Sequence, residues 1–207
     1  MTFLLSRILS IITILGCATS LAVVQPLQKA PPFSVLTHEG HKVKLKQFKG
    51  KIVVLEWFNQ HCPFVRKFYE SNSMQQWQDA FVTKGVVWLT VNSAAINKSG
   101  YENLEQTRNT RRKFNIRSSF NLIDSSGELG RKYGAKTTPH IFILDKEHLI
   151  AYQGAVDNSQ SSDIKTIKNS ENYLLNTLFA LTQIGRSRNI KTNIIRFTNP
   201  YGLQIRY

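Results

Sequence analysis

Three near-continuous apolar blocks organise this chain: Ile52 to Phe58, Val86 to Val91, and Ile141 to Leu144. Each is short and rich in β-branched or aromatic residues, which predicts strands buried on both faces of a sheet. After the first block the apolar spacing becomes helical from Pro63, where a proline at the first helical position sacrifices no hydrogen bond. Ser71-Asn72-Ser73 breaks that helix, and Met74, Trp77 and Phe81 resume the helical period. Upstream, Phe33 to Leu36 reads as a short strand, His38 to His41 as a turn, and Lys42 to Lys46 as its partner strand, with Val43 and Leu45 on one face. Downstream, Ser93 to Gly100 is a loop, Tyr101 to Lys113 a polar helix, and Asn121 to Asp124 a short strand. Ser126 to Tyr133 is a helix ending at Gly134. Asp145-Lys146 turns the chain so that Leu149 to Gln153 pairs with the third block. Ser170 then caps a last helix striped by Leu174, Leu178 and Leu181. Past a turn at Pro200-Tyr201-Gly202, Leu203, Ile205 and Tyr207 alternate as in a strand. Helices alternating with buried strands specify an α/β fold: a central mixed sheet flanked by helices, with an N-terminal β extension and a C-terminal tail.

The first 22 residues have a different character. Arg7 precedes an apolar run from Ile8 to Leu15, interrupted by Ser10 and Thr13 and shorter than the roughly 20 residues a membrane span needs. Ser20-Leu21-Ala22 has the small-x-small form of a signal-peptidase site. Ile14-Leu15-Gly16-Cys17 resembles a bacterial lipobox, in which Cys17 would be lipidated, although Leu15 replaces the usual small residue. Residues 1–22 are therefore expected to be a signal peptide or lipoprotein leader and 23–32 a proline-marked linker. Residues 33–185 would form one domain, and 186–207 a tail packing on it. Export places the chain in a bacterial periplasm, or on the envelope by a lipid at Cys17.

The formal net charge is +14, and it stays at +13 without the leader, whose only charged side chain is Arg7. Such a surface favours anionic partners. The basic residues are scattered, however, with Arg111-Arg112-Lys113 the densest run, and no base-reading or stacking module accompanies them. Nucleic acid is thus disfavoured as a partner. Composition otherwise suits a packed globular domain, with 42% hydrophobic and 19% charged residues.

Cysteine usage carries the chemistry. The chain has two, Cys17 and Cys62, and either leader route removes the Cys17 thiol. An exported protein with one remaining thiol holds a candidate reactive cysteine. Cys62 directly follows the first strand and starts a helix, where the helix N-terminus favours a thiolate. His61 beside it adds positive charge when protonated. Glu56, on an otherwise apolar strand, either serves as a desolvated proton relay for Cys62 or reaches solvent at the strand end. Thr138-Pro139 stands immediately before the third block, where a cis peptide bond is expected. His38, His41, His61 and His140 raise the question of a metal, but no second cysteine joins them. No cofactor or metal is assigned.

The run Val54-Leu55-Glu56-Trp57-Phe58-Asn59-Gln60-His61-Cys62 resembles the active-site approach of thioredoxins, and Lys136-Thr137-Thr138-Pro139-His140 resembles their cis-proline loop. The wider sequence is similar to a bacterial redoxin family marked by Cys-Pro-Phe-Val-Arg-Lys, related to thioredoxins and to the peroxide-reductase (AhpC/TSA) superfamily. Here that motif is Cys62 to Lys67, with Val87-Trp88-Leu89, Tyr133-Gly134-Ala135 and Pro200-Tyr201-Gly202 also matching. The resemblance implies a thioredoxin-like fold with Cys62 as nucleophile and with His61 and Glu56 tuning its protonation. It also implies substrate contacts at Thr138, Pro139, Pro63 and Phe64, the Thr138 backbone being offered to an extended peptide.

Three departures narrow this. Val65 stands where thioredoxins place a second cysteine, and Leu203 stands where relatives often end in Pro-Tyr-Gly-Cys. Leu55 and Asn59 replace the proline and threonine of a peroxiredoxin pocket. The expected activity is single-cysteine thiol–disulfide exchange with protein or small-molecule thiols and disulfides, completed by an external reductant. Alternatives are a one-cysteine thiol peroxidase with an antioxidant role and a non-enzymatic basic binding module on the same frame.

Overall fold

A computed structural model describes residues 24–183 and 195–207. The leader, Cys17 and the boundary expected near residue 186 lie outside the described residues. The first apolar block forms β3 (Val53–Trp57), the second β4 (Val87–Asn92), and the third β7 (His140–Leu144). With β1 (Ser34–Thr37), β2 (Lys42–Lys44), β5 (Phe120–Ile123) and β8 (Ile150–Gly154) they build a seven-stranded sheet in the order β2-β1-β5-β4-β3-β7-β8. The centre is parallel, β3 with β4 and β4 with β5, whereas β7 and β8 add antiparallel strands on one side and β1 and β2 on the other. A two-residue strand β6 (Thr137–Thr138) stands apart from that sheet and, among the described residues, pairs with β9 (Leu203–Gln204) alone.

Side-chain alternation on β3 divides the core. Val53, Leu55 and Trp57 face a cluster with Tyr133, Phe142 and the N-terminal residues Val24 and Phe33. Val54 and Phe58 face the opposite cluster, covered by α1 (Pro63–Glu70), α2 (Ser73–Val82) and α5 (Tyr173–Gln183) through Phe68, Met74, Phe81, Leu174 and Leu178. The break between α1 and α2 falls at Ser71-Asn72, with Asn72 in the left-handed region at φ 60°. Helix α3 (Leu104–Lys113) buries only threonines, Thr107 and Thr110, and is closed by a reciprocal Asn103–Gln106 capping box. Helix α4 (Glu128–Tyr133) ends on Gly134 at φ 67°, a conformation that glycine reaches without strain.

Three local expectations change. The strand starting at Lys42 stops at Lys44, because Gln47 Oε1 accepts the Lys44 N–H at 2.5 Å and turns Leu45–Phe48 into a 3-10 helix. A second 3-10 helix, Ile164–Asn169, precedes α5. Ser170 closes that short helix, its hydroxyl donating to the Thr166 carbonyl, and Asn172 caps α5 by accepting the Leu175 N–H at 2.8 Å.

Candidate active site

The junction of β3 and α1 places Cys62. Its N–H donates to the Asn59 carbonyl at 3.0 Å, and its own carbonyl accepts the Val65 and Arg66 N–H groups, so it is the N-cap of α1 with Pro63 in the first turn. The side chain is fully buried. Its thiol does not cap the helix. It donates instead to the Thr138 carbonyl at 2.8 Å, a hydrogen bond that belongs to the protonated sulfur. The Thr138–Pro139 peptide bond is cis, and both residues are buried.

The C-terminal segment closes over the same carbonyl. Leu203 pairs with Thr138 and Gln204 with Thr137, antiparallel, and the Ile205 N–H donates to the Lys136 carbonyl at 3.0 Å. Gly202, at φ 133°, lies so close that a Cβ there would sit 2.0 Å from the Thr138 oxygen. The edge of Thr138 is therefore already paired, not open to an incoming peptide. Ile205 is buried in the core at the end of this pairing, whereas Leu203 and Gln204 are both exposed, so the expected alternation of Leu203 with Ile205 does not hold.

Tyr201 ties this segment to α1. Its ring meets the Phe64 ring edge-on, with centroids 5.7 Å apart, and its hydroxyl donates to Asp157 Oδ1. Asp157 in turn forms a 3.2 Å ion pair with Lys67, and both side chains are buried. Lys67 Nζ is further satisfied by the Ser159 and Ser161 carbonyls. A buried ammonium is tolerable only with such complete pairing.

Glu56 is fully buried on the α1 side of β3. Trp88 Nε1 and the Tyr69 hydroxyl each donate to its carboxyl at 2.8 Å, and Gln78 Nε2 at 3.1 Å. Burial pushes the carboxyl up to about 7, against the pull of those three hydrogen bonds. Glu56 neither reaches solvent nor bonds to Cys62. His61 is exposed, and its backbone N–H donates to Asn59 Oδ1. His140 is buried, with Nδ1 accepting the Lys136 N–H and Nε2 unpartnered, and burial pulls it down to about 3. Among the described residues no three His, Cys, Asp or Glu side chains gather as metal ligands.

Residues 26–153, more than half of the chain, match the AhpC/TSA family. The chain belongs to the AhpC/TSA family. Among curated proteins it is 28% identical over 120 residues to thiol-disulfide oxidoreductase ResA of Bacillus thuringiensis subsp. konkukian and of Bacillus cereus, covering 58% of this chain and 64% of each relative. The match thus spans less than two thirds of those relatives. Two solved structures superpose over nearly the whole chain. An uncharacterized conserved protein from Geobacillus kaustophilus has TM-score 0.71 at 21% identity, over 88% of this chain and 92% of its own. A hypothetical protein from Sinorhizobium meliloti has TM-score 0.70 at 19% identity, over 90% and 96%. The thioredoxin domain of a thiol-disulfide oxidoreductase from Bacteroides vulgatus has TM-score 0.51 at 18% identity, over 70% and 97%. The fold is thioredoxin-like.

On this AhpC/TSA frame, Cys62, Thr138 and Pro139 meet, with Pro63 and Phe64 on the adjoining helical turn. His61 and Glu56 do not touch the sulfur. Sequence reasoning missed Lys67, Asp157 and Tyr201 as a connected set. One signal was available: Lys67 falls between Phe64 and Phe68 at helical spacing, on a face that has to be buried.

Proposed function

We propose that this chain is an exported thiol–disulfide oxidoreductase that works through Cys62 alone and completes its cycle with an external thiol. The observation that carries the reading is the placement of the Cys62 sulfur at the start of α1, held by the carbonyl before Pro139, with Val65 where a second thiol would complete a dithiol. After losing its proton, the Cys62 sulfur attacks one sulfur of a partner disulfide. The new bond joins Cys62 to that sulfur as the partner S–S bond breaks, and the departing thiolate takes up a proton. An external thiol then attacks the mixed disulfide and returns Cys62 reduced. Thr138 and Pro139 position the substrate, with Pro63 and Phe64 beside it. Glu56, which has no bond to the sulfur, acts on it through charge, and His61 does so from the surface. Export rests on the leader pattern of residues 1–22, with lipidation at Cys17 as the anchored form.

Complete burial of the sulfur favours a second reading, a one-cysteine peroxidase, because a small oxidant needs little room. There the sulfur attacks the peroxide O–O bond, becomes a sulfenic acid and releases water or an alcohol, and a thiol then condenses with it, releasing water. The deciding experiment compares the parent and Cys62→Ser. Reduction of a disulfide-bearing peptide by an added thiol is expected to depend on Cys62, with no sulfenate trapped at dilute peroxide. Rapid Cys62 sulfenate formation without peptide reduction would support the peroxidase instead, and equal peptide reduction by Cys62→Ser would remove Cys62 from the chemistry.

A further inference from the structure

Cys62 has no exposed surface, so any reaction with a polypeptide disulfide requires part of its cover to move. Two of its walls are fixed. β3 and β7 are fully buried central strands, and they hold the start of α1 and the Pro139 loop. The C-terminal segment covers the Thr138 carbonyl to which the thiol donates. It is anchored upstream at Thr198, whose N–H donates to the Gln153 carbonyl and whose hydroxyl meets Tyr152 and the Ala155 N–H. It is anchored downstream at Tyr207, whose hydroxyl donates to the Ala135 carbonyl at 2.7 Å, and the Ile205 N–H, donating to the Lys136 carbonyl, closes the pairing at the end of the strap. Between these anchors residues 199–204 form a strap. Its strand is two residues long, and both of those side chains are exposed, so lifting it uncovers little core. What holds it is the Leu203–Thr138 and Gln204–Thr137 pairing, the Tyr201–Phe64 ring contact and the Tyr201 hydroxyl on the Asp157–Lys67 ion pair.

We propose that residues 199–204 are a strap occupying the peptide-binding edge of Cys62, and that a partner's extended, disulfide-bearing segment enters by exchanging with it on Thr137–Thr138. The proposal rests on Cys62 being the reacting thiol. The edge is a pre-formed template for an extended chain, because an antiparallel strand already satisfies it. Tyr201 is the positioning residue of the closed state. It touches Phe64 and Asp157 and is joined to the sulfur through Phe64 on the first turn of α1 and through Gly202 and Thr138. The buried lysine of the Cys62–Lys67 segment thereby has a use: it fixes the carboxylate on which the strap is latched.

The test uses the full chain carrying Cys17→Ser, so that Cys62 is the sole thiol. Tyr201→Phe removes only the latch hydroxyl and leaves the Lys67–Asp157 pair intact. Gly202→Ala directs a methyl at the Thr138 carbonyl and prevents closure. Each is expected to raise the rate of Cys62 alkylation by iodoacetamide about tenfold or more, with the thermal midpoint of Tyr201→Phe close to the parent. In the mixed disulfide with an extended cysteine-containing peptide, the Ile205 amide is expected to lose its protection from hydrogen exchange. Alkylation rates within twofold of the parent for Tyr201→Phe would overturn the strap, whether or not Gly202→Ala folds. So would an Ile205 amide that stays protected in the adduct. If the strap variants change nothing while Cys62 still forms the adduct, the strap fails and the thiol reading stands. If no variant forms the adduct, the thiol reading itself fails.

Discussion

At Glu56 burial and hydrogen bonding pull in opposite directions, and burial wins. The carboxyl is held up to about 7, whereas an unperturbed glutamate ionises near 4.5. The folded chain therefore keeps a proton that the unfolded chain releases between those values. Stability from this group is complete below pH 4.5 and is lost as pH rises through 7, by about 3 kcal/mol in all. Glu56→Gln is expected to flatten that slope and to be no less stable than the parent at pH 8. Denaturant midpoints of both proteins at pH 5 and pH 8 check this, and an unchanged slope would place the titrating group elsewhere. The glutamate was legible as a misfit in an apolar strand. Its partners were not, because Tyr69, Gln78 and Trp88 come from α1, α2 and β4 and share no local pattern with it. Cys62 and Pro139 were legible because each is marked by a short motif next to a buried strand.

At the scale of elements, α1 does two jobs: its first turn holds the sulfur, and its last turn holds Lys67 against Asp157, 90 positions away in the chain. Removing one partner of a buried pair strands the other charge, so Asp157→Ala is expected to cost about 3–5 kcal/mol. Pairing it with Lys67→Met removes both charges, and the double variant is expected to lose less than the sum of the singles by about 1–3 kcal/mol. A double-mutant cycle in denaturant measures this, and strict additivity would show that the pair is not coupled. Strand blocks and helix periods were legible along the chain because each element's own pattern carries its type. The 3-10 helices were hidden because single side-chain bonds, such as Gln47 to the Lys44 N–H, set them. The cap of α5 was expected at Ser170 and lies at Asn172 for the same reason, since Ser, Asn and Asp all satisfy a cap and only the register chooses among them.

Across the whole molecule, the mixed sheet brings a strand end, a loop and the C-terminal tail to one point. The tail's strand character was readable, but the expected alternation fails at exposed Leu203, and the pairing with Thr137–Thr138 was not legible, because nothing local sets a register between segments so far apart. That pairing changes the meaning of the site: among the described residues Cys62 has no second thiol beside it, and the tail already pairs with the Thr137–Thr138 edge. The central claim is that Cys62 alone forms a releasable covalent link with a disulfide partner. Intact mass of the folded Cys17→Ser chain after incubation with a cystine-bearing peptide, followed by peptide mapping, tests it most directly. The account predicts one peptide adduct per chain, located on Cys62 and fully removed by added thiol. A folded chain that stays unmodified under conditions in which the unfolded chain is fully labelled would contradict it.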